Sequence, residues 1–133
     1  MNAVDTNVLV YAYGVSAPAK RDAAQKLIVS LSDGVLLWQV ACEFVSAARK
    51  TVVPGGDATA AWDRLDDIRR LLRLVVPREG SLARAREIQV RTRAQFWDCL
   101  IFGACLEAGV TRLYSEDLPG GVVPGLEIVN PFI

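Results

Sequence analysis

Short apolar stretches alternate with longer helical segments along the whole of this chain, and the alternation limits the folds that it can adopt. The stretches predicted to be strands are residues 3–4, 35–38, 74–77, 112–114 and 126–129. Few of them show the polar-apolar alternation of a half-exposed strand, so we expect a sheet that is covered on both faces. The sequence therefore predicts an α/β protein, a three-layer α/β/α sandwich around a central, mainly parallel sheet.

The predicted helices are separated by residues that stop helices. We expect a first helix that begins near Asp5, and further helices at residues 20–31, 40–52, 57–72, 81–92 and 97–108. Pro54 and the two glycines after it interrupt the chain before the fourth helix, and Gly109 is suited to end the last one. The chain has 133 residues and shows no repeat, so we expect a single domain over residues 1–133.

The composition limits the chemistry that this chain can perform. It contains no histidine, which excludes histidine general-base catalysis, the Ser-His-Asp triad and most zinc enzymes. The three cysteines, Cys42, Cys99 and Cys105, form no CxxC pair and are expected to be buried, reduced thiols. The chemistry must therefore depend on carboxylates, hydroxyls or metal ions.

Hydrophobic residues make up 52% of the chain, more than in an average soluble domain. This excess favours a sheet buried on both faces, or an apolar interface with another protein. No apolar run is long enough to cross a bilayer, and the first residues lack the basic stretch of a signal peptide. We therefore expect a cytoplasmic protein that makes no use of a membrane.

Four acidic residues occupy positions that are unusual for surface carboxylates. Asp5 and Asp117 each follow a predicted strand, and groups just beyond the carboxyl ends of parallel strands gather in one crevice. Glu43 lies on a helical stripe that is otherwise apolar and is predicted to face inward, and Asp98 opens an apolar helix. We expect these four side chains to meet in that crevice.

Clustered carboxylates repel one another, and a divalent cation among them removes the conflict. Hard oxygen ligands of this kind suit Mg²⁺ or Mn²⁺. Each acid also has a structural alternative. Asp5 and Asp98 could act only as helix caps, Glu43 could pair with an arginine, and Asp117 could belong to a turn.

The residues around these acids resemble the four motifs of PIN domains, in particular those of VapC-like toxin ribonucleases. Asp5 lies in VDTNVLVYA at residues 4–12, and Glu43 lies in QVACEF at residues 39–44. Asp98 lies in FWDCLI at residues 96–101, and Asp117 lies in LYSEDL at residues 113–118. The ending GLEIVNPF at residues 125–132 is similar to that family as well, so the resemblance spans nearly the whole chain.

This resemblance implies a PIN-like fold and a Mg²⁺- or Mn²⁺-dependent endoribonuclease, the toxin of a toxin-antitoxin pair. By the same resemblance the catalytic residues are Asp5, Glu43, Asp98 and Asp117. Of these, Asp5, Asp98 and Asp117 would bind the metal, and Glu43 would orient or deprotonate the attacking water. The supporting polar groups would be Asn7 and Ser115, with Glu116 as an outer acid.

The resemblance also implies an RNA substrate, a small antitoxin partner that covers the site, and a homodimer. Trp62 and Leu65 are candidates for exposed residues at such an interface. Two departures from the family pattern concern substrate fit. Trp38 stands where a small or hydroxyl residue is expected, and Arg93-Ala94-Gln95 precede the third motif, where Gly-Leu-Ser is commoner.

Two other functions remain to be compared with this one. A phosphoacceptor receiver domain would need an aspartate after a middle strand and a late lysine, but residues 74–77 contain no aspartate and no lysine follows Lys50. A catalytically silent PIN-type module that only binds RNA or protein would keep the same acids. Metal-dependent cleavage of RNA separates that module from a nuclease.

The charges are unevenly distributed although the formal net charge is zero. Residues 49–93 contain eleven basic and six acidic residues, a balance of +5, and the rest of the chain has a balance of −5. Arginine suits phosphate contacts, so Arg69 and Arg70 are predicted to bind RNA. The alternative is that these arginines pair with Asp63, Asp66 and Asp67 on the same helix.

Overall fold

A computed structural model describes all residues from Met1 to Ile133. Its strands are β1 (Asn2–Val4), β2 (Gly34–Leu37), β3 (Arg73–Val75), β4 (Arg112–Tyr114) and β5 (Glu127–Val129). They form one sheet in the order β3-β2-β1-β4-β5, and every neighbouring pair is parallel. The predicted α/β fold is confirmed, and the sheet is parallel throughout.

Six α-helices cover the sheet. They are α1 (Thr6–Tyr13), α2 (Pro18–Ser30), α3 (Trp38–Thr51), α4 (Ala58–Leu71), α5 (Glu79–Thr92) and α6 (Phe96–Ala108). The helices α1 to α4 pack against one another, whereas α5 and α6 form a close pair. Right-handed connections between parallel strands place the first four helices on one face of the sheet and the pair on the other. None of the six combines the length and the apolar content that crossing a membrane requires.

Side chains at the helix ends explain where α1 and α6 begin and end. The carboxylate of Asp5 accepts a hydrogen bond from the backbone N–H of Thr6, and the side-chain oxygen of Gln95 accepts one from the N–H of Asp98. Gly109 ends α6 with a φ of 79°, a left-handed conformation that glycine adopts without strain. The predicted start of α1 and both predicted ends of α6 are therefore close to the observed ones.

Several predicted strand boundaries differ from the observed ones by one or two residues, most clearly at the ends of β2 and β3. Trp38 is the first residue of α3 and not the last of β2. The third strand covers Arg73–Val75 instead of residues 74–77, because β3 lies at the edge of the sheet and pairs only with β2. Its partner ends at Leu37, which is opposite Val75, so the residues after Val75 have no strand to pair with.

The core is one cluster of 30 buried apolar residues, in which Phe44 of α3 and Phe102 of α6 are the largest side chains. Two predicted positions relative to this core are wrong. Cys42 is exposed, because α3 turns Phe44 and its neighbours towards the sheet instead. Leu65, expected on the surface, is buried in the contact between α4 and the rest of the core.

The central strand β1 divides the chain path into two halves. From β1 the chain adds β2 and then β3 on one side, and it later returns to add β4 and β5 on the other. The carboxyl ends of β1 and β4 therefore flank the position at which the strand order reverses. In open parallel sheets this position forms a crevice suited to ligand binding.

Candidate active site

One depression of about 300 Å³ opens at the carboxyl ends of the strands. It is lined by Asp5, Thr6, Asn7, Gln39, Glu43, Trp97, Asp98, Ile101, Asp117 and Leu118. All four acids singled out from the sequence are among these residues. They reach it from the end of β1, the first half of α3, the first turn of α6 and the loop after β4.

Asp5 is the buried carboxylate of the group. One of its oxygens accepts a hydrogen bond from the N–H of Thr6 at 2.8 Å, and the other accepts one from the hydroxyl of Ser115 at 2.8 Å. Burial raises the pKa of Asp5, and the negative charges of Glu43 and Asp117 raise it further, against the effect of these hydrogen bonds. A cation in the depression would relieve both causes.

Asn7 and Ser115 connect the end of β1 to the loop after β4. The amide nitrogen of Asn7 lies 3.3 Å from a carboxylate oxygen of Asp5, 3.3 Å from the hydroxyl of Ser115 and 3.3 Å from a carboxylate oxygen of Asp117. The Ser115 hydroxyl also accepts hydrogen bonds from the backbone N–H groups of Asp117 and Leu118. The two supporting residues named from the sequence therefore contact the acids directly.

Glu43 is exposed, so the prediction that it faces inward is wrong. The buried stripe of α3 passes through Phe44, and Glu43 lies at the border of that stripe, where the helix overhangs the depression. No arginine pairs with it. Its two carboxylate oxygens accept hydrogen bonds from the hydroxyl of Thr6 at 2.7 Å and from the amide of Gln39 at 2.9 Å.

Asp98 is half-buried, and its carboxylate has no hydrogen-bond or ion-pair partner within the chain. Gln95 caps α6 in its place, so capping does not explain Asp98. Burial raises the pKa of Asp98, and the charge of Glu43 adds to the increase. This carboxylate is consequently available to a ligand in the depression.

Glu116 points away from the depression. Its carboxylate accepts a hydrogen bond from the hydroxyl of Tyr11 at 2.7 Å and forms an ion pair with Lys20. The hydrogen bond from Lys20, followed by the one from Tyr11, lowers the pKa of Glu116. The structure therefore places this acid behind the loop of Asp117, where it secures the loop against α1 and α2.

The donors in the depression fit a hard divalent cation. No lysine or arginine is among the lining residues, so no side chain of the chain neutralises the four carboxylates. No three acidic or thiol side chains are already arranged as a complete metal cage. The ligands that the sequence suggests, Asp5, Asp98 and Asp117, would have to close around an ion that keeps several of its waters, as Mg²⁺ does.

Arg69 and Arg70 lie far from this depression in the fold. They line a groove of about 680 Å³ together with Met1, Asp33 and Arg73, at the amino ends of the strands. Arg70 forms an ion pair with Asp67 at 2.6 Å. The structure thus separates these arginines from the acids by the length of the sheet, and the pairing expected on a helix surface is present for one of them.

Sequence reasoning missed Thr6 and Gln39, which hold Glu43. A signal for Gln39 was available, since it precedes Glu43 by four residues and helical residues at that spacing share a face. Thr6 gave no such signal, because its partner lies 37 residues away on another helix.

Two comparisons with known proteins, one with family models and one with solved structures, agree with each other. The PIN domain model matches residues 3–118. Similar solved structures include a toxin-antitoxin complex from Klebsiella pneumoniae, with 16% identity, a TM-score of 0.72 and 98% of each chain covered. FitAcB from Neisseria gonorrhoeae gives 17% identity, a TM-score of 0.76 and 99% of each chain covered.

A third similar structure is that of VapC20 from Mycobacterium tuberculosis, a sarcin-ricin loop cleaving toxin. It shows 19% identity and a TM-score of 0.69, with 92% of each chain covered. At these identities the three structures establish a shared fold. No functionally curated protein matches the sequence significantly.

Proposed function

The chain belongs to the PIN domain family, and from that premise we propose that residues 1–133 form a Mg²⁺- or Mn²⁺-dependent endoribonuclease, the toxin of a toxin-antitoxin pair. The observation that carries the proposal is the convergence of Asp5, Glu43, Asp98 and Asp117 on one depression that contains no basic side chain. Negative charges that are held close together repel one another, and a divalent cation bound among the carboxylates removes this repulsion.

In this mechanism Asp5, Asp98 and Asp117 would hold the ion. When bound, it would supply positive charge for the phosphate and lower the pKa of a water molecule. Glu43 accepts the proton of the attacking water, and the hydrogen bonds from Thr6 and Gln39 keep its carboxylate directed at the depression.

The remaining polar residues position these acids. Asn7 keeps Asp5 and Asp117 at a fixed separation, and Ser115 holds the loop that carries Asp117. The contacts of Asn7 with Asp117 and of Ser115 with Asp5 both cross from β1 to β4, so the geometry of the acids depends on the pairing of these two strands.

RNA is the proposed substrate, and a small antitoxin protein and a second copy of the chain are the proposed partners. The family membership supports RNA, as does the similarity to a toxin that cleaves the sarcin-ricin loop. The similarity to a structure solved as a toxin-antitoxin complex supports the antitoxin. A protein that covers the depression would have to place a cation or a donor against its carboxylates.

The test is cleavage of mixed cellular RNA by the purified chain with Mg²⁺, with Mn²⁺ and with EDTA. We expect cleavage only with a metal ion. Asp5→Asn and Asp98→Asn should each reduce the rate about a hundredfold or more, because the ion contributes several kcal/mol of transition-state stabilisation. Asp63→Asn is the matched control, since Asp63 is exposed on α4 and makes no contact with the depression.

A second readout measures the ion without RNA. Mn²⁺ should raise the melting temperature of the wild-type chain, because it binds only the folded state, and should raise that of Asp5→Asn less. Far-UV circular dichroism checks that each variant is folded. Metal-dependent cleavage that persists in both aspartate variants would contradict the site, and binding of metal and RNA without cleavage would indicate the catalytically silent module.

A further inference from the structure

Two exposed aromatic side chains stand at the rim of the acidic depression. Trp97 lines the depression and is 58% exposed, and its neighbour Phe96 is 44% exposed. Their rings pack edge to face, with centroids 5.1 Å apart and planes inclined by 78°. In this arrangement the edge of one ring covers one face of the other, and the two rings cover no other face of each other. The pair therefore holds its orientation while it offers flat surfaces to a ligand.

Phe96 connects the depression to a second concave surface. This groove, of about 550 Å³, follows α5 and is lined by Glu79, Gly80, Leu82, Ala83, Ala85, Arg86, Gln89 and Phe96. Because Trp97 lines the depression and Phe96 lines the groove, the packed ring pair lies between the two. The acids are on one side of it and the surface of α5 is on the other.

Arg86 is the basic residue of this groove. It is exposed and forms no ion pair, whereas Arg64 and Arg70 on α4 both pair with Asp67. Glu79 also lines the groove, but it lies about two helical turns before Arg86, so it leaves the guanidinium free. An unpaired arginine beside aromatic faces has the chemistry that holds a phosphate next to a stacked base.

We propose that Phe96, Trp97 and Arg86 form a track for an unpaired stretch of RNA that leads into the acidic depression. A base stacks on the ring pair, and Arg86 holds a neighbouring phosphate. In a duplex the base faces are covered by neighbouring bases, so the track selects single-stranded segments such as loops and ends. The proposal rests on the proposed ribonuclease function and assigns to Phe96, Trp97 and Arg86 the binding of the RNA beside the acidic site.

The test measures binding and not cleavage. The chain carries Asp5→Asn throughout, and Ca²⁺ replaces the catalytic ion. The probe is a single-stranded RNA of about ten nucleotides, with 2-aminopurine at successive positions, since stacking quenches the fluorescence of this base. Trp97→Ala should weaken binding about tenfold, or about 1.4 kcal/mol, and should remove the quenching. Trp97→Phe should restore most of both.

Two matched controls accompany these variants. Val76→Ala shortens an apolar side chain that is 61% exposed after β3, outside the depression and the groove, and should leave binding unchanged. Arg86→Ala should lower the dependence of log affinity on log salt by about one unit. Arg84→Ala removes an exposed arginine from the same helix but outside the groove, and should leave that slope unchanged.

Three results would overturn the track. These are equal binding by the Trp97→Ala and Val76→Ala variants, equal binding of duplex and single-stranded probes, and a changed mass of Trp97→Ala in light scattering. The last would assign the ring to a contact between protein chains. If the wild-type chain cleaves RNA and Trp97→Ala binds RNA as well as the parent, the ribonuclease function is supported and the track is refuted. If the wild-type chain cleaves no RNA but binding depends on Trp97, the track is supported and the ribonuclease function is refuted.

Discussion

The side-chain amide of Asn7 lies between Asp5 and Asp117, next to the position at which the strand order reverses. Its nitrogen carries two hydrogens but faces three acceptors, on Asp5, Ser115 and Asp117, each at 3.3 Å. Its oxygen accepts from the backbone N–H of Glu116 at the same distance. The neutral amide of Asn7 therefore places hydrogen-bond donors between the carboxylates of Asp5 and Asp117 and so reduces their repulsion.

Replacing Asn7 by aspartate tests this role at constant size. The change removes the donor and adds a negative charge beside Asp5 and Asp117, so the free energy of unfolding should fall by about 1–3 kcal/mol without metal. Thermal denaturation in EDTA measures the loss. Asn130→Asp is the control, because the side-chain oxygen of Asn130 only accepts, from the N–H of Phe132 at 2.9 Å, and a carboxylate can do the same. Equal melting temperatures for the two variants would contradict the role of Asn7.

Sequence reasoning named the acids of the site and the supporting residues Asn7 and Ser115, but not the groups that hold Glu43. Asp5 and Asp117 come directly after strands, and a parallel sheet brings the residues beyond its strand ends to one edge, so their approach to one another could be predicted. The exposure of Glu43 could not be predicted. Helical periodicity shows which face of α3 is buried, but it does not show how far the packed elements cover the residues at the edge of that face. Hydrogen bonds such as that of Thr6 to Glu43 depend on how two helices are placed, which local patterns do not describe.

Among the elements, α5 and α6 are packed closely against each other at Gly103. A Cβ atom on Gly103 would lie 2.5 Å from the carbonyl oxygen of Ser81 and 2.9 Å from the backbone nitrogen of Ala85. Both of these atoms belong to the backbone of α5, so neither can move aside cheaply. The position of α6, and with it that of Trp97 and Asp98, thus depends on a residue without a side chain.

Gly103→Ala should separate these two helices. We expect the free energy of unfolding to fall by about 1–3 kcal/mol, the usual cost of overpacking, and the melting temperature to fall with it. Gly120→Ala is the matched control, since no atom lies within 4 Å of the position that its Cβ would take. A Gly103→Ala variant as stable as Gly120→Ala would mean that α5 and α6 adjust freely.

The order of elements along the chain was predictable, whereas their order in the sheet was not. Buried apolar strands separated by helices require a parallel sheet, and the structure has one. The arrangement β3-β2-β1-β4-β5 depends on the side to which the chain turns after β3, and nothing in α5 or α6 indicates it. For that reason the arginines of residues 49–93 appeared as one group, although Arg69 and Arg86 lie in separate grooves.

At the scale of the whole molecule, the surface carries more apolar side chains than the track uses. Val15, Val29, Trp62, Leu71 and Val90 are all exposed. We expect the chain to form a homodimer. Static light scattering at tens of micromolar, a concentration above a micromolar dissociation constant, should then show twice the mass of one chain. Trp62→Glu should shift the equilibrium towards the monomer, and Leu65 is excluded from this role by its burial. A strict monomer of the wild-type chain at that concentration would contradict the dimer.

The contact between Asp5 and Ser115 joins residues that are 110 positions apart, across the pairing of β1 with β4. On a ribosome, Asp5 and Glu43 leave the exit tunnel long before Asp117 has been synthesised. Contacts of such long range form late in folding, because the intervening chain must first be ordered. The acidic site of the proposed nuclease is therefore incomplete until the loop after β4 has been synthesised, and a product that terminates before Asp117 lacks it.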